Sequence, residues 1–270
     1  MNQNSKEKLY HYLALVSIGA MSYIIADIAH EAIGHGGACL IAGGEITLLT
    51  SVYFRSAIHS FITDAFGPLT NLAIGLLLWT LLRKTNHLKA YTQLLLLHTM
   101  TFNLFWFSWL CFYAGITNKG DFAFDISGTT ELLTWRIFLI VVGILSYRIF
   151  FYLIAGVALK IFNSFKTNFS IQHLLQLFLI PYLSAGVSAL IAVSFFNPHS
   201  IDTFIEAINF PMFFPMLLIP RYLRKSDKLL QRETNNLEQP FLTKQQLNFI
   251  FYGVIIFIIF CWTMGRGIRF

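Results

Sequence analysis

Residues 9–40 read LYHYLALVSIGAMSYIIADIAHEAIGHGGACL, an apolar run that acidic side chains interrupt only in its second half. A membrane-spanning helix needs about 20 mostly apolar residues, so the run is long enough to cross a bilayer. Toward its end it carries Asp27, His30, Glu31 and His35. Because ionisable side chains inside a membrane segment cost free energy, a functional role is the first expectation for them.

The composition of the whole chain agrees with a membrane protein. Of the 270 residues 56% are hydrophobic and 12% are charged, whereas a soluble domain is about 25% charged. The three cysteines are scattered and form no CxxC pair, which excludes a secreted disulfide scaffold. Cytoplasmic loops that face anionic lipid explain the net charge of +6, so we expect the lipid bilayer and no nucleic acid as a partner.

Further apolar stretches along the chain predict an all-α polytopic membrane protein with about seven transmembrane helices. We place them at residues 62–82, 91–113, 134–162, 174–196, 203–219 and 249–264. The stretch at 203–219 contains two prolines and either spans as a kinked helix or re-enters. We expect one membrane domain over 1–270, with a core at about 9–130, additional helices at 131–270 and a polar cytoplasmic loop at 221–246.

The distribution of basic residues predicts the orientation of the chain. If seven helices cross, 13 of the 19 lysines and arginines lie on the side of the amino terminus and four on the other side. Cytoplasmic loops carry the excess of positive charge. We therefore expect a cytoplasmic amino terminus, and we place the end of the first helix on the non-cytoplasmic face.

His30-Glu31-Ala32-Ile33-Gly34-His35 has the composition of a zinc site, because two imidazoles bind Zn²⁺ and a neighbouring carboxylate takes a proton from a zinc-activated water. In the common HExxH motif the histidines are four residues apart. Five residues on a regular helix separate them by about 140°. A π-bulge would bring them together, and Gly34 is a suitable place for it. The alternative is that the histidines only satisfy polar contacts at a helix end.

The motif resembles the HExxGH variant of the dipeptidyl peptidase III family. A larger region, about residues 27–82, resembles the site-2 protease family of intramembrane zinc metalloproteases. Gly34-His35 closes the zinc motif, residues 46–54 form a β-like segment after the first helix, and Gly67-Pro68-Leu69-Thr70-Asn71 matches a GPxxN motif. The resemblance implies Zn²⁺ as cofactor, His30 and His35 as ligands, and Asn71 as a group that hydrogen-bonds substrate or a ligand.

In that family the third zinc ligand is an aspartate on a later segment. Asp121 is the first choice here, because Gly120 suits a tight turn that aims the carboxylate inward. Asp125, Asp64 and Glu131 remain alternatives, and Asp121 can also be a solvated loop residue. In the third helix, His98 and Asn103 either line the same cavity or form a packed, hydrogen-bonded pair. Trp106, Trp109 and Trp135 are interpreted as interfacial belt residues.

Together these features predict an integral-membrane zinc metalloprotease with Glu31 as general base and a membrane-protein or peptide substrate. An extended substrate is expected to pair with the edge of the β-like segment. Two alternatives remain, a zinc-dependent membrane lipid amidase and a non-catalytic metal-binding scaffold or transporter. Residue usage suggests a bacterial protein of the inner (cell) membrane.

Overall fold

The computed structural model contains a bundle of long apolar helices and a small sheet. It describes residues 3–57, 60–85, 87–123, 130–165, 169–197, 201–225 and 245–270. Within these residues seven helices are long and apolar enough to span a membrane, at Lys6–Ile41, Phe61–Lys84, Ala90–Thr117, Leu132–Ser164, Ile171–Ser194, Thr203–Lys225 and Gln246–Gly265. The prediction of an all-α polytopic membrane protein with about seven helices is confirmed.

The first span is one continuous helix with a change of winding near its end. Helix α1 (Gln3–Ile28) runs into a π-helical segment (Ala29–Gly36) and then into the short helix α2 (Gly37–Ile41). The next spans are the regular helices α3 (Phe61–Lys84), α4 (Ala90–Thr117), α5 (Thr130–Ser164) and α6 (Ile171–Ser194). The last comprises α10 (Gln245–Phe260) and a second π-helical segment (Cys261–Gly265).

The sixth span is broken where its sequence carries prolines. It consists of α7 (Ile201–Glu206), α8 (Phe210–Phe213), a 3₁₀ turn (Phe214–Leu218) and α9 (Ile219–Lys225). Proline removes a backbone donor and disturbs the preceding turn, which explains the interruptions. The predicted polar loop began too early at 221, because α9 extends to Lys225. The rest of that prediction lies mostly outside the described residues.

The β-like segment is a hairpin within a three-stranded antiparallel sheet. Strand β1 (Ile46–Leu49) pairs with β2 (Phe54–Ser56) on one side and with β3 (Ile268–Arg269) on the other. The hairpin was predicted as one segment at 46–54, whereas its second strand continues to Ser56 and the third strand comes from the far end of the chain.

The β1–β3 pairing fixes the parity of the membrane crossings. Strand β1 follows the first span and β3 follows the last one. Two segments that pair directly lie on the same face of the membrane, so the number of crossings between β1 and β3 must be even. Six spans lie between them, and if the other five cross, the span Thr203–Lys225 must cross as well.

Helix α1 lies at the centre of the bundle, against α4, α6 and α10. At its crossing with α6 the two backbones approach so closely that a Cβ on Gly19 would lie 2.6 Å from Pro181 Cα. Small residues allow such approaches between membrane helices, where dispersion contacts rather than a hydrophobic driving force hold the helices together.

The Gly19 contact predicts a stability difference between two glycine substitutions. In Gly19→Ala the added methyl group must push α1 away from α6, and we expect a loss of about 1–3 kcal/mol in the free energy of unfolding. The matched control is Gly156→Ala in α5, where the added Cβ meets nothing within 4 Å and the helix propensity improves. Thermal unfolding in detergent compares the variants, and equal stability of both would contradict the close crossing.

Candidate metal centre

The π-helical winding at residues 29–36 brings His30 and His35 together. Their Nε2 atoms lie 3.2 Å apart, and the two rings are perpendicular with centroids at 4.7 Å. Regular α-helical winding would turn the second ring about 140° away from the first. The predicted π-bulge is therefore confirmed, and it extends over eight residues instead of a single insertion.

Gly34 lies in the distorted segment, as expected, and it also allows close packing against α3. It lies inside the π-helical segment, and its missing side chain lets α3 approach. A Cβ on Gly34 would lie 2.6 Å from Gly67 Cα, and one on Gly67 would clash with the His35 ring and lie 2.9 Å from His30 Cε1. Both glycines are therefore required by packing, and Gly67 of the GPxxN motif lies directly against the two imidazoles.

The hydrogen bonds of the two rings determine which nitrogens point at each other. His35 Nδ1 lies 2.9 Å from the backbone carbonyl of Thr63, which can only accept, so Nδ1 carries the proton. His30 Nδ1 lies 2.6 Å from Asn71 Oδ1 and donates in the same way. In the neutral imidazoles the two Nε2 atoms are consequently unprotonated, and their lone pairs face a common point.

Asp121 completes the cluster from the loop after α4. Its Oδ2 lies 3.0 Å from His30 Nε2 and its Oδ1 lies 3.7 Å from His35 Nε2. Gly120 before it has φ +83°, a left-handed conformation that glycine adopts readily, and the expected tight turn is present.

Helix α5 holds the loop that carries Asp121. Trp135 Nε1 donates to the Phe122 carbonyl at 2.9 Å, directly beside the aspartate. Arg136 donates to the carbonyls of Gly115 and Ile116 in the last turn of α4, at 3.0 and 2.5 Å. The partly buried Arg136 thus satisfies backbone groups at the end of α4, and Trp135 anchors the loop that carries Asp121.

The three side chains fit a tetrahedral metal ion. One atom from each of His30, His35 and Asp121 can be chosen so that all lie within 4.8 Å of one another. Zinc bonds of about 2.0–2.1 Å in a tetrahedron place neighbouring ligand atoms about 3.3 Å apart, close to the separations found here. Two lone pairs and a carboxylate repel one another in an apolar interior unless a cation lies between them, so the donor set suits Zn²⁺.

Of the three alternative carboxylates, the structure describes the position of one, Asp64. Asp64 lies in α3, is partly exposed and is not a member of the group. Asp125 lies outside the described residues, and the same holds for the side chain of Glu131. Asp121 is thus the carboxylate that the structure brings to the two histidines.

Two aromatic side chains pack against the histidines of the centre, and neither contact could be read from the sequence. Trp106 of α4 stacks on the His30 ring at 5.2 Å, and Phe54 of β2 stacks on the His35 ring at 5.5 Å. The interpretation of Trp106 as a belt residue is wrong, because its side chain is buried against the metal-binding face. Spacing along the chain does not reveal such contacts between distant elements.

Of the two polar residues predicted in α4, one joins the centre. Asn103 Oδ1 accepts from Asn71 Nδ2 at 2.9 Å, and Asn71 in turn contacts His30. His98 lies elsewhere in the helix packing, where its Nε2 contacts the Leu177 carbonyl at 2.9 Å. His98 and Asn103 therefore do not form a hydrogen-bonded pair. Asn71 itself contacts His30, one of the proposed metal ligands.

Glu31 is buried beside the ligands and is not fully satisfied. Its Oε2 has no hydrogen-bond partner among the described residues, and its charge interacts with those of Asp27 and Asp121. Asp27, one turn earlier, accepts from the Tyr23 hydroxyl at 3.3 Å. A buried carboxylate with a free oxygen near a metal-binding cluster can exchange a proton with a water molecule bound there.

The packing of Gly67 predicts how a single methyl group affects metal binding. In Gly67→Ala the new Cβ displaces both imidazole rings, and we expect zinc affinity to fall about 10- to 100-fold. Gly37→Ala is the matched control, because it lies just after the π-helical segment and its Cβ would meet nothing within 4 Å. Zinc affinity is measured by competition with a chelator, and unchanged affinity in Gly67→Ala would contradict the described packing.

Comparison of the chain with protein-family models, with curated proteins and with solved structures found no match. The description of the centre therefore rests on the geometry of this chain alone.

Proposed function

We propose that the chain is an integral-membrane zinc metalloprotease that hydrolyses a peptide bond in or near the membrane. The observation that supports this most directly is the convergence of His30 Nε2, His35 Nε2 and the Asp121 carboxylate beside the buried Glu31. Three protein ligands leave one coordination position open, which distinguishes catalytic from structural zinc sites.

The ligands would be His30, His35 and Asp121. A zinc ion held there would act as a Lewis acid and lower the pKa of a water molecule to about 7. The surrounding protein keeps the two imidazoles fixed: the Thr63 carbonyl orients His35, Asn71 orients His30, and one aromatic ring stacks on each of them. Preorganised ligands of this kind are needed for catalysis without rearrangement.

Glu31 would transfer the proton during hydrolysis. It takes one proton from the attacking water as the water oxygen bonds to the carbonyl carbon, and it gives that proton to the nitrogen as the C–N bond breaks. The products are a carboxylic acid and an amine, and no oxidant or reductant is needed. The unpartnered Oε2 of Glu31 supports this assignment, because a permanent hydrogen bond would hinder the transfer.

The small sheet favours a peptide over a lipid amide as substrate. Phe54 of β2 lies on the His35 ring, and β2 is an edge strand in the order β2-β1-β3. An extended peptide can add to such an edge through main-chain hydrogen bonds. Strand β1 is paired on both sides, with β2 and with β3, so within the β-like segment the outer edge of β2 is the proposed docking edge.

The proposed setting is a bacterial inner (cell) membrane, with the amino terminus in the cytoplasm. The excess of basic residues on the amino-terminal side supports this orientation. With seven crossings the metal centre then lies toward the non-cytoplasmic face, beside the sheet.

Zinc content of the purified protein tests the ligand set. We expect about one zinc per chain in the wild type and loss of it in His35→Ala and Asp121→Ala, because two remaining ligands bind zinc weakly. His98→Gln is the control: this buried histidine is outside the cluster, and glutamine can still donate to the Leu177 carbonyl. Equal zinc content in all four proteins would contradict both ligand assignments.

The variant Glu31→Gln tests the proton-transfer role separately from metal binding. We expect full zinc content and a loss of about 10²- to 10⁴-fold in hydrolysis rate, because the amide cannot accept the proton. The substrates are a library of transmembrane peptides and, in parallel, labelled lipid amides. Undiminished peptide cleavage would exclude Glu31 as the base, and cleavage of lipid amides alone would favour the lipid amidase.

A further inference from the structure

A line of buried hydrogen bonds connects His30 to the backbone of α4. His30 Nδ1 contacts Asn71 Oδ1 at 2.6 Å, Asn71 Nδ2 donates to Asn103 Oδ1 at 2.9 Å, and Asn103 Nδ2 donates to the Thr99 carbonyl at 2.8 Å. Both asparagines are completely buried. The line links α1, α3 and α4, and each of its members depends on the next for its orientation.

The backbone of α4 sets the direction of the line. The Thr99 carbonyl can only accept, so the amide group of Asn103 turns its NH₂ toward it and its oxygen toward α3. A reversed Asn103 would place its own oxygen against that carbonyl. In an apolar interior such a contact between two acceptors, with no water available, is strongly unfavourable.

Two hydrogen-bond acceptors determine the orientation of the Asn71 amide group. Its Nδ2 donates to Asn103 Oδ1 and to the Ala26 carbonyl at 3.0 Å, which uses both hydrogens of the amide. Its Oδ1 is thereby directed at His30, and the His30 proton is drawn to Nδ1. This leaves the Nε2 lone pair facing His35 and Asp121.

We infer that Asn103 is a positioning residue that acts through Asn71 and selects the tautomer of His30 in which Nε2 is free to bind metal. The inference rests on the proposed metal centre for its purpose, although the tautomer can be observed without metal. Asn103 contacts neither the ligand atoms nor the proposed proton carrier, so its effect must pass through Asn71.

Zinc affinities of four variants test whether Asn103 acts through Asn71. We expect Asn103→Leu to weaken zinc binding about tenfold, toward the lower end of the range for residues that support ligands. Asn71→Leu should weaken it more, and the double variant should equal Asn71→Leu alone, because the second change has nothing left to orient. Thr101→Val is the control, since among the described residues this buried hydroxyl bonds to the Leu97 carbonyl of its own helix.

The conservative variant Asn103→Asp separates orientation from packing. A protonated carboxyl can donate to the Thr99 carbonyl and still present an oxygen to Asn71, so we expect zinc affinity close to that of the wild type. Losses that simply add in the double variant, or an Asn103→Asp protein as weak as Asn103→Leu, would overturn the inference.

A spectroscopic measurement distinguishes failure of this inference from failure of the proposed function. In metal-free protein with ¹⁵N-labelled histidine rings, assigned with His30→Gln, we expect the His30 proton on Nδ1 in the wild type and in Asn103→Asp. In Asn103→Leu we expect a mixture of tautomers. If the wild type binds no zinc the proposed function fails, while an unchanged tautomer in Asn103→Leu overturns the inference whatever the zinc result.

Discussion

His30 and His35 are five positions apart, so a regular helix cannot bring their imidazoles together, and the geometry of the cluster depends on how the first span resolves this constraint. The π-helical turns at residues 29–36 place both Nε2 atoms 3.2 Å apart. Such turns usually lie at functional sites because they are less favourable than α-helical ones. Here the neighbouring helix supports them, since Gly34 and Gly67 allow α3 to pack directly on the distorted segment.

The environment of the two histidines explains why an otherwise apolar bundle retains so many polar side chains at one place. Each imidazole needs an acceptor for its Nδ1 proton, and the protein provides a backbone carbonyl for His35 and an asparagine for His30. The asparagine in turn needs acceptors for its own hydrogens. A buried imidazole such as that of His30 therefore requires further polar groups around it. Networks in which every hydrogen-bonding group has a partner make a site rigid.

Much of this arrangement could be predicted from the sequence. Apolar run lengths gave the helices, and the spacing of His30 and His35 required a π-bulge that the structure contains. Gly120 before Asp121 indicated the turn that aims the Asp121 carboxylate at the two histidines. These features are local or follow from the 3.6-residue period of the α-helix, so they can be predicted from the sequence alone.

Other parts depend on contacts between distant segments and could not be predicted. The stacking of Trp106 on His30 requires the relative position of α1 and α4, and spacing within either helix does not encode it. The same holds for the link between Asn71 and Asn103, and for strand β3, whose two residues are too few for a strand signal. Resemblance to a known family had indicated Asn71, but not which of its roles the geometry supports.

Strand β3 also has a consequence for the order of biogenesis. Ile268 pairs with Leu49 across most of the length of the chain, so the sheet beside the metal centre is incomplete until the residues after the last span have been synthesised. Contacts of such large sequence separation form late in folding. A chain whose final helix has not been inserted would therefore lack the third strand of the sheet whose Phe54 stacks on His35.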